Sequence, residues 1–126
     1  MTDAELRGKI KAHLDLVTYS RQGMKEAAER CTAFLVMVAI LADEKRECED
    51  EKAKINTMET ASYAQAVGRS QAKQVTEKKI EAEQDQNYTV IREAKEQCEA
   101  KISWLKTYIN IFENAHITYR TFAKEG

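Results

Sequence analysis

From Tyr88 to Phe122 apolar residues recur every seven positions. Ile91, Cys98, Leu105, Phe112 and Tyr119 form one row, and Tyr88, Lys95, Ile102, Ile109 and His116 form a second, offset by three or four residues. Two such rows make a seam that must lie against another helix. Trp104, Tyr108, Ile111 and Ala115 add a stripe beside the seam, so the segment needs at least two neighbours to bury what it offers. The chain contains no proline, and 33% of its residues are charged against 7% aromatic. That composition favours long, uninterrupted helices, and the fold class it predicts is all-α.

The partner for this seam is sought upstream. Thr2 and Glu5 have capping-box spacing and open a short first helix over about 3–18, with Leu6, Ile10, Leu14 and Val17 on one face. The apolar rhythm lapses between Thr18 and Gly23, where Ser20 and Gly23 suit a bend. A long helix over about 22–67 follows. Met24, Ala28, Cys31, Leu35 and Val38 form one stripe of it, and Phe34, Met37 and Leu41 make its first part apolar nearly all round. After Ala42 it keeps about one apolar residue per heptad, at Leu41, Cys48 and Ile55. Gly68 is the natural stop, and a return helix over about 71–122, either continuous or broken near residues 82–87, closes a long antiparallel hairpin within a single helical domain. The polar far half of this hairpin buries little, so its apolar root is expected to complete its burial in a homo-oligomer. Phe34, Leu35, Val38 and Leu41 on one arm, with Ile102, Trp104, Leu105, Tyr108, Ile109, Ile111 and Phe112 on the other, are the expected subunit contacts.

Chemistry is hard to find. There is no glycine-rich phosphate loop, no paired Cys or His motif at metal spacing, and no nucleophile with a recognisable partner, so neither catalysis, nor a cofactor, nor a metal is expected. Glu81, Glu83 and Asp85 are read as a solvated helix face in preference to a divalent-ion site. His116, in a seam position, is read as an interhelical hydrogen bonder or a register-setting residue in preference to a metal ligand. Cys31, Cys48 and Cys98 are widely spaced and odd in number, which suits reduced, helix-packing thiols and a cytoplasmic location. The apolar run Cys31–Ala42 falls well short of the roughly 20 residues that cross a bilayer, so no membrane partner is expected.

The formal net charge is −1, and what matters is where the charge sits. Residues 43–67 hold seven acidic side chains and four basic ones, whereas residues 64–80 hold Arg69, Lys73, Lys78 and Lys79 against Glu77 alone. The far end of the hairpin is thus the one distinctly cationic segment, with Tyr63 close by in sequence. Cations for phosphates and a flat side chain for a base are the needs of single-stranded nucleic acid binding, and a ring of copies would multiply the patch.

The same layout resembles that of the recombination mediators of T-even-type phages. The resemblance rests on Met24-Lys25-Glu26-Ala27-Ala28 in the apolar helix, the Tyr63-then-Gly68 break, the Lys78-Lys79-Ile80-Glu81-Ala82-Glu83-Gln84-Asp85 return and the ending Tyr119-Arg120-Thr121-Phe122. It covers roughly residues 24–67 and 78–122. It implies a non-enzymatic helical oligomer that binds single-stranded DNA and helps load a recombinase by displacing the single-strand-binding protein, in the host cytoplasm if the chain is viral. The family's basic, aromatic binding motif falls on residues 56–63, where this chain has Tyr63 but no Lys or Arg. Tyr63 alone carries over, and the phosphate contacts are expected at Lys52 and Lys54 before the stretch or at Arg69, Lys73, Lys78 and Lys79 after it. The acidic run 43–51 favours a different reading: a protein-binding adaptor, structural component or small inhibitor that binds no nucleic acid.

Overall fold

The computed structural model describes residues 1–20 and 23–125. All regular structure among them is helical, in the order α1 (Asp3–Leu14), α2 (Met24–Arg69), α3 (Val75–Gln84) and α4 (Gln86–Glu125). The all-α expectation therefore holds. The expected start of the second helix at residue 22 lies outside the described residues. The chain divides into two compact units, one of Met1–Lys45 with Trp104–Gly126 and one of Arg46–Ser103.

In the first unit α2 and α4 run antiparallel, because Cys31 meets His116 while Phe34 stacks on Phe112 with centroids 5.9 Å apart. The core is Leu6, Ile10, Ala27, Phe34, Met37, Leu41, Leu105, Phe112, Ala115 and Tyr119, all buried. Helix α1 supplies the second neighbour that the seam requires. Leu6 and Ile10 are one helical turn apart and both buried, the guanidinium of Arg7 lies 4.4 Å above the Trp104 ring, and His13 meets Phe112 edge-on. Thr2 caps α1 by accepting the Glu5 backbone N–H at 3.2 Å, as its spacing foretold. The helix ends at Leu14, short of the expected residue 18. The following backbone turns to bond the Tyr119 hydroxyl, with Tyr19 in the left-handed region at φ 53.

In the second unit the pairing is again antiparallel, as ion pairs of Lys52 with Glu99 and of Lys95 with Glu59 show. Cys48, Ile55, Ser62, Ala66, Ala82 and Ile102 are its buried residues, widely spaced and, the two isoleucines apart, small. Helix α2 ends at Arg69, one residue beyond Gly68. The return helix does not begin at 71, because the Ser70 hydroxyl accepts the Ala72 N–H and bonds the Glu81 carboxylate, holding a turn until Val75. Nor does it run unbroken to 122. Asp85 has extended ψ of 129, accepts the Tyr88 N–H on Oδ1 and so caps α4, a role short acidic side chains fill better than a helix interior.

Candidate functional site

Three sets of residues bear on function: the expected subunit contacts, the expected nucleic-acid contacts, and groups that the sequence reading passed over. Five of the eleven residues in the first set lie in the interior of the chain. Phe34, Leu41, Leu105 and Phe112 are fully buried within the chain and Ile102 is nearly so, at 8% exposure. They are core and cannot also face a second copy. Val38, Trp104, Tyr108, Ile109 and Ile111 are half-buried, and Trp104 is covered by Arg7 from α1. Of the eleven, Leu35 stays exposed, at 51%.

Leu35 belongs to a row that lies wholly on the surface. Ala28, Thr32, Leu35, Ala39 and Ala42 are all exposed, and their spacing of four, three, four and three residues is that of a heptad seam. Val36 flanks them at 50% exposure. On the opposite side of the same helix, Ala27, Phe34, Met37 and Leu41 are buried. The sequence reading placed Met24, Ala28 and Leu35 in one stripe with Cys31 and Val38; here the first three are exposed and the last two half-buried. In a segment apolar on nearly all sides, the face that carries Phe34, Met37 and Leu41 went into the core, and the face whose row is alanine and threonine around Leu35 stayed outside.

The expected nucleic-acid residues do not form one site. Lys52 pairs with Glu99 at 3.5 Å and Arg69 with Asp85 at 3.0 Å. Lys52 and Lys54 lie some 15 residues before Arg69 on one helix, about 25 Å away at 1.5 Å per residue. Tyr63 is half-buried against Tyr88, with centroids 5.2 Å apart, in a notch that Glu59 and Glu83 also line. Glu59 is already paired with Lys95 at 3.3 Å, which leaves Glu83 as the carboxylate there that opposes a phosphate backbone. Arg92 sits 5.7 Å from the Tyr88 ring. Lys54, Lys73, Lys78 and Lys79 make no ion pair among the described residues, and the last three share the stretch from the turn into α3.

Titration follows the local bonding. The Tyr88 backbone N–H holds the Asp85 carboxyl below its ordinary range; burial works against this, and Arg69 adds to it. Burial pushes the Cys98 thiol up, and Glu51 pushes it further. Burial also works to raise the Tyr119 phenol, but hydrogen bonds from Thr18, Arg30 and Tyr19 outweigh it, so that it ionises below the usual range. His116 makes the interhelical bond its seam position suggested, placing Nδ1 3.1 Å from the Cys31 carbonyl oxygen. No group of three or more His, Cys, Asp or Glu side chains among the described residues is placed to hold a metal ion, and none of the described helices is long and apolar enough to cross a membrane.

Fold and surfaces together define an all-α protein of antiparallel helix pairs with an exposed heptad row. Comparison with protein-family models, curated proteins and solved structures finds no match to this chain.

Proposed function

We propose that the chain is a non-enzymatic helical adaptor that associates with itself through the outer face of α2. The observation that carries this reading is the exposed row Ala28, Thr32, Leu35, Ala39 and Ala42. A heptad row in water exposes apolar surface that a second helix would bury. The row also reads nearly alike from either end, with two small residues, one large one and two small ones. Such a pattern suits a two-fold contact in which Leu35 of each copy lies in the trough beside Ala39 and Thr32 of the other, since a two-fold axis pairs a patch with itself. Small side chains let the helix axes approach closely. Light scattering over a range of concentrations tests this: association at micromolar protein is expected, and a folded monomer throughout overturns it.

A second reading, single-stranded DNA binding with help to a recombinase, is favoured by one observation. Lys73, Lys78 and Lys79 carry ammonium groups without ion-pair partners among the described residues, and self-association would repeat them. Three phosphate contacts imply that affinity for an oligonucleotide falls about 20-fold between about 50 and 200 mM salt. Fluorescence anisotropy reads this directly. Glutamate at all three positions should abolish binding and leave association intact; binding that ignores salt, or no binding at micromolar protein, removes the reading.

A further inference from the structure

Trp104 and Tyr108 stand one helical turn apart on α4, edge to face with centroids 6.2 Å apart, and both are half-buried. Helix α1 runs beside them in the same direction as α4, because Arg7 lies over Trp104 and His13 meets Phe112. Lys11, one turn beyond Arg7, therefore comes level with Tyr108. Within the first unit this makes two rungs about 6 Å apart, at about 1.5 Å rise per residue. Each rung joins an aromatic ring of α4 to a cation of α1. Arg7 and Lys11 are both exposed, and neither makes an ion pair among the described residues. The Arg7 guanidinium rests 4.4 Å from the Trp104 ring centroid, so one side of it is held by the indole while the other meets water.

We propose that this face binds a nucleotide, with the base stacked on the outer side of the Arg7 guanidinium and the phosphate paired with the Lys11 ammonium. The two cations suit these different tasks. A guanidinium is planar and weakly hydrated, and it stacks well on a flat π-system, whereas an ammonium is a compact charge suited to phosphate oxygens. Trp104 holds the Arg7 plane in place before the ligand arrives, which lowers the ordering cost of the stack. Asp3 and Asp15, each four residues from one of the cations and both exposed, stand at the two ends of the patch. They oppose further phosphates, so the site is about one nucleotide long. The same chemistry is offered by a free nucleotide and by one nucleotide of a single strand. Lys73, Lys78 and Lys79 belong to the other unit, and the site depends neither on them nor on self-association.

Trp104 is the chain's one tryptophan, so its indole N–H gives a single cross-peak in a proton–nitrogen correlation spectrum. Adenosine 5′-monophosphate should move this cross-peak saturably in the native protein at low salt. Ribose 5-phosphate, which lacks the base, and adenosine, which lacks the phosphate, should each bind about tenfold more weakly. Arg7→Gln and Lys11→Gln, confirmed helical by circular dichroism, should each weaken binding of the monophosphate by about the same factor, and Lys73→Gln should leave it unchanged. A pentamer of deoxyadenosine separates the two sources: affinity close to that of the monophosphate assigns the site to free nucleotide, and much tighter binding that Arg7→Gln still weakens assigns it to a strand. A cross-peak that moves without saturating overturns the proposal, as does ribose 5-phosphate binding as tightly as the monophosphate. Native affinity in both Arg7→Gln and Lys11→Gln overturns it too.

Discussion

The Tyr119 side chain is fully buried, yet its hydroxyl is well satisfied. It accepts the backbone N–H groups of Thr18 and Tyr19 at 3.2 and 3.1 Å and donates to the Leu16 carbonyl at 3.1 Å, while its ring packs on Phe34 and Phe122. One residue thus ties the segment after α1 to α4. Tyr119→Phe keeps the ring and strands those backbone groups, which should cost about 1–3 kcal/mol in urea denaturation; an unchanged midpoint would show that the segment re-pairs without it. Asp85 plays the comparable part in the second unit. Because its folded carboxyl titrates below the ordinary value of 3.8, its contribution is complete above that pH and fades as pH falls through the lower folded value. Asp85→Asn should therefore flatten the acid limb of the stability profile, and Asp85→Ala should speed amide exchange in the first turn of α4. At this scale the sequence was partly legible. Thr2 announced its cap through Glu5, and Tyr119 announced burial through its seven-residue row, but its hydroxyl partners lie about 100 positions away and left no local sign.

Among the elements, α1 is the one whose role the sequence hid. Its Leu6 and Ile10 mark an apolar face, yet nothing in their spacing says that the helix lies against Trp104 and Phe112. The intramolecular partner has the advantage of proximity, since closing a loop within one chain costs less than bringing two chains together. Leu6→Ala should therefore cost about 2–5 kcal/mol and increase the exposure of Trp104, read as a red shift of its fluorescence in otherwise native conditions. A loss of association with no change in stability would instead place Leu6 at a subunit contact. The return helix carries the opposite lesson. Its heptad rows were plain, but the break at Asp85 depends on a capping bond to Tyr88 and a pair with Arg69, neither of which a run such as Glu83-Gln84-Asp85-Gln86-Asn87 declares.

For the molecule as a whole, helical class and antiparallel pairing followed from composition and period alone, because long proline-free heptads admit few alternatives. The change in character after Ala42 has its counterpart in the buried residues of the two units, mostly large in one and mostly small in the other. What could not be read was which of two apolar faces of α2 would turn inward, and that choice decides where a partner can bind. The proposed subunit contact lies on the outer row, and the groove lined by Met58, Ala61, Val90 and Ile91 is outside it. Sedimentation equilibrium of native protein, Leu35→Glu and Met58→Glu, each confirmed helical, tests this most directly. The native and Met58→Glu proteins should associate alike at micromolar concentration while Leu35→Glu sediments as a monomer; association of Leu35→Glu with native strength would contradict the account.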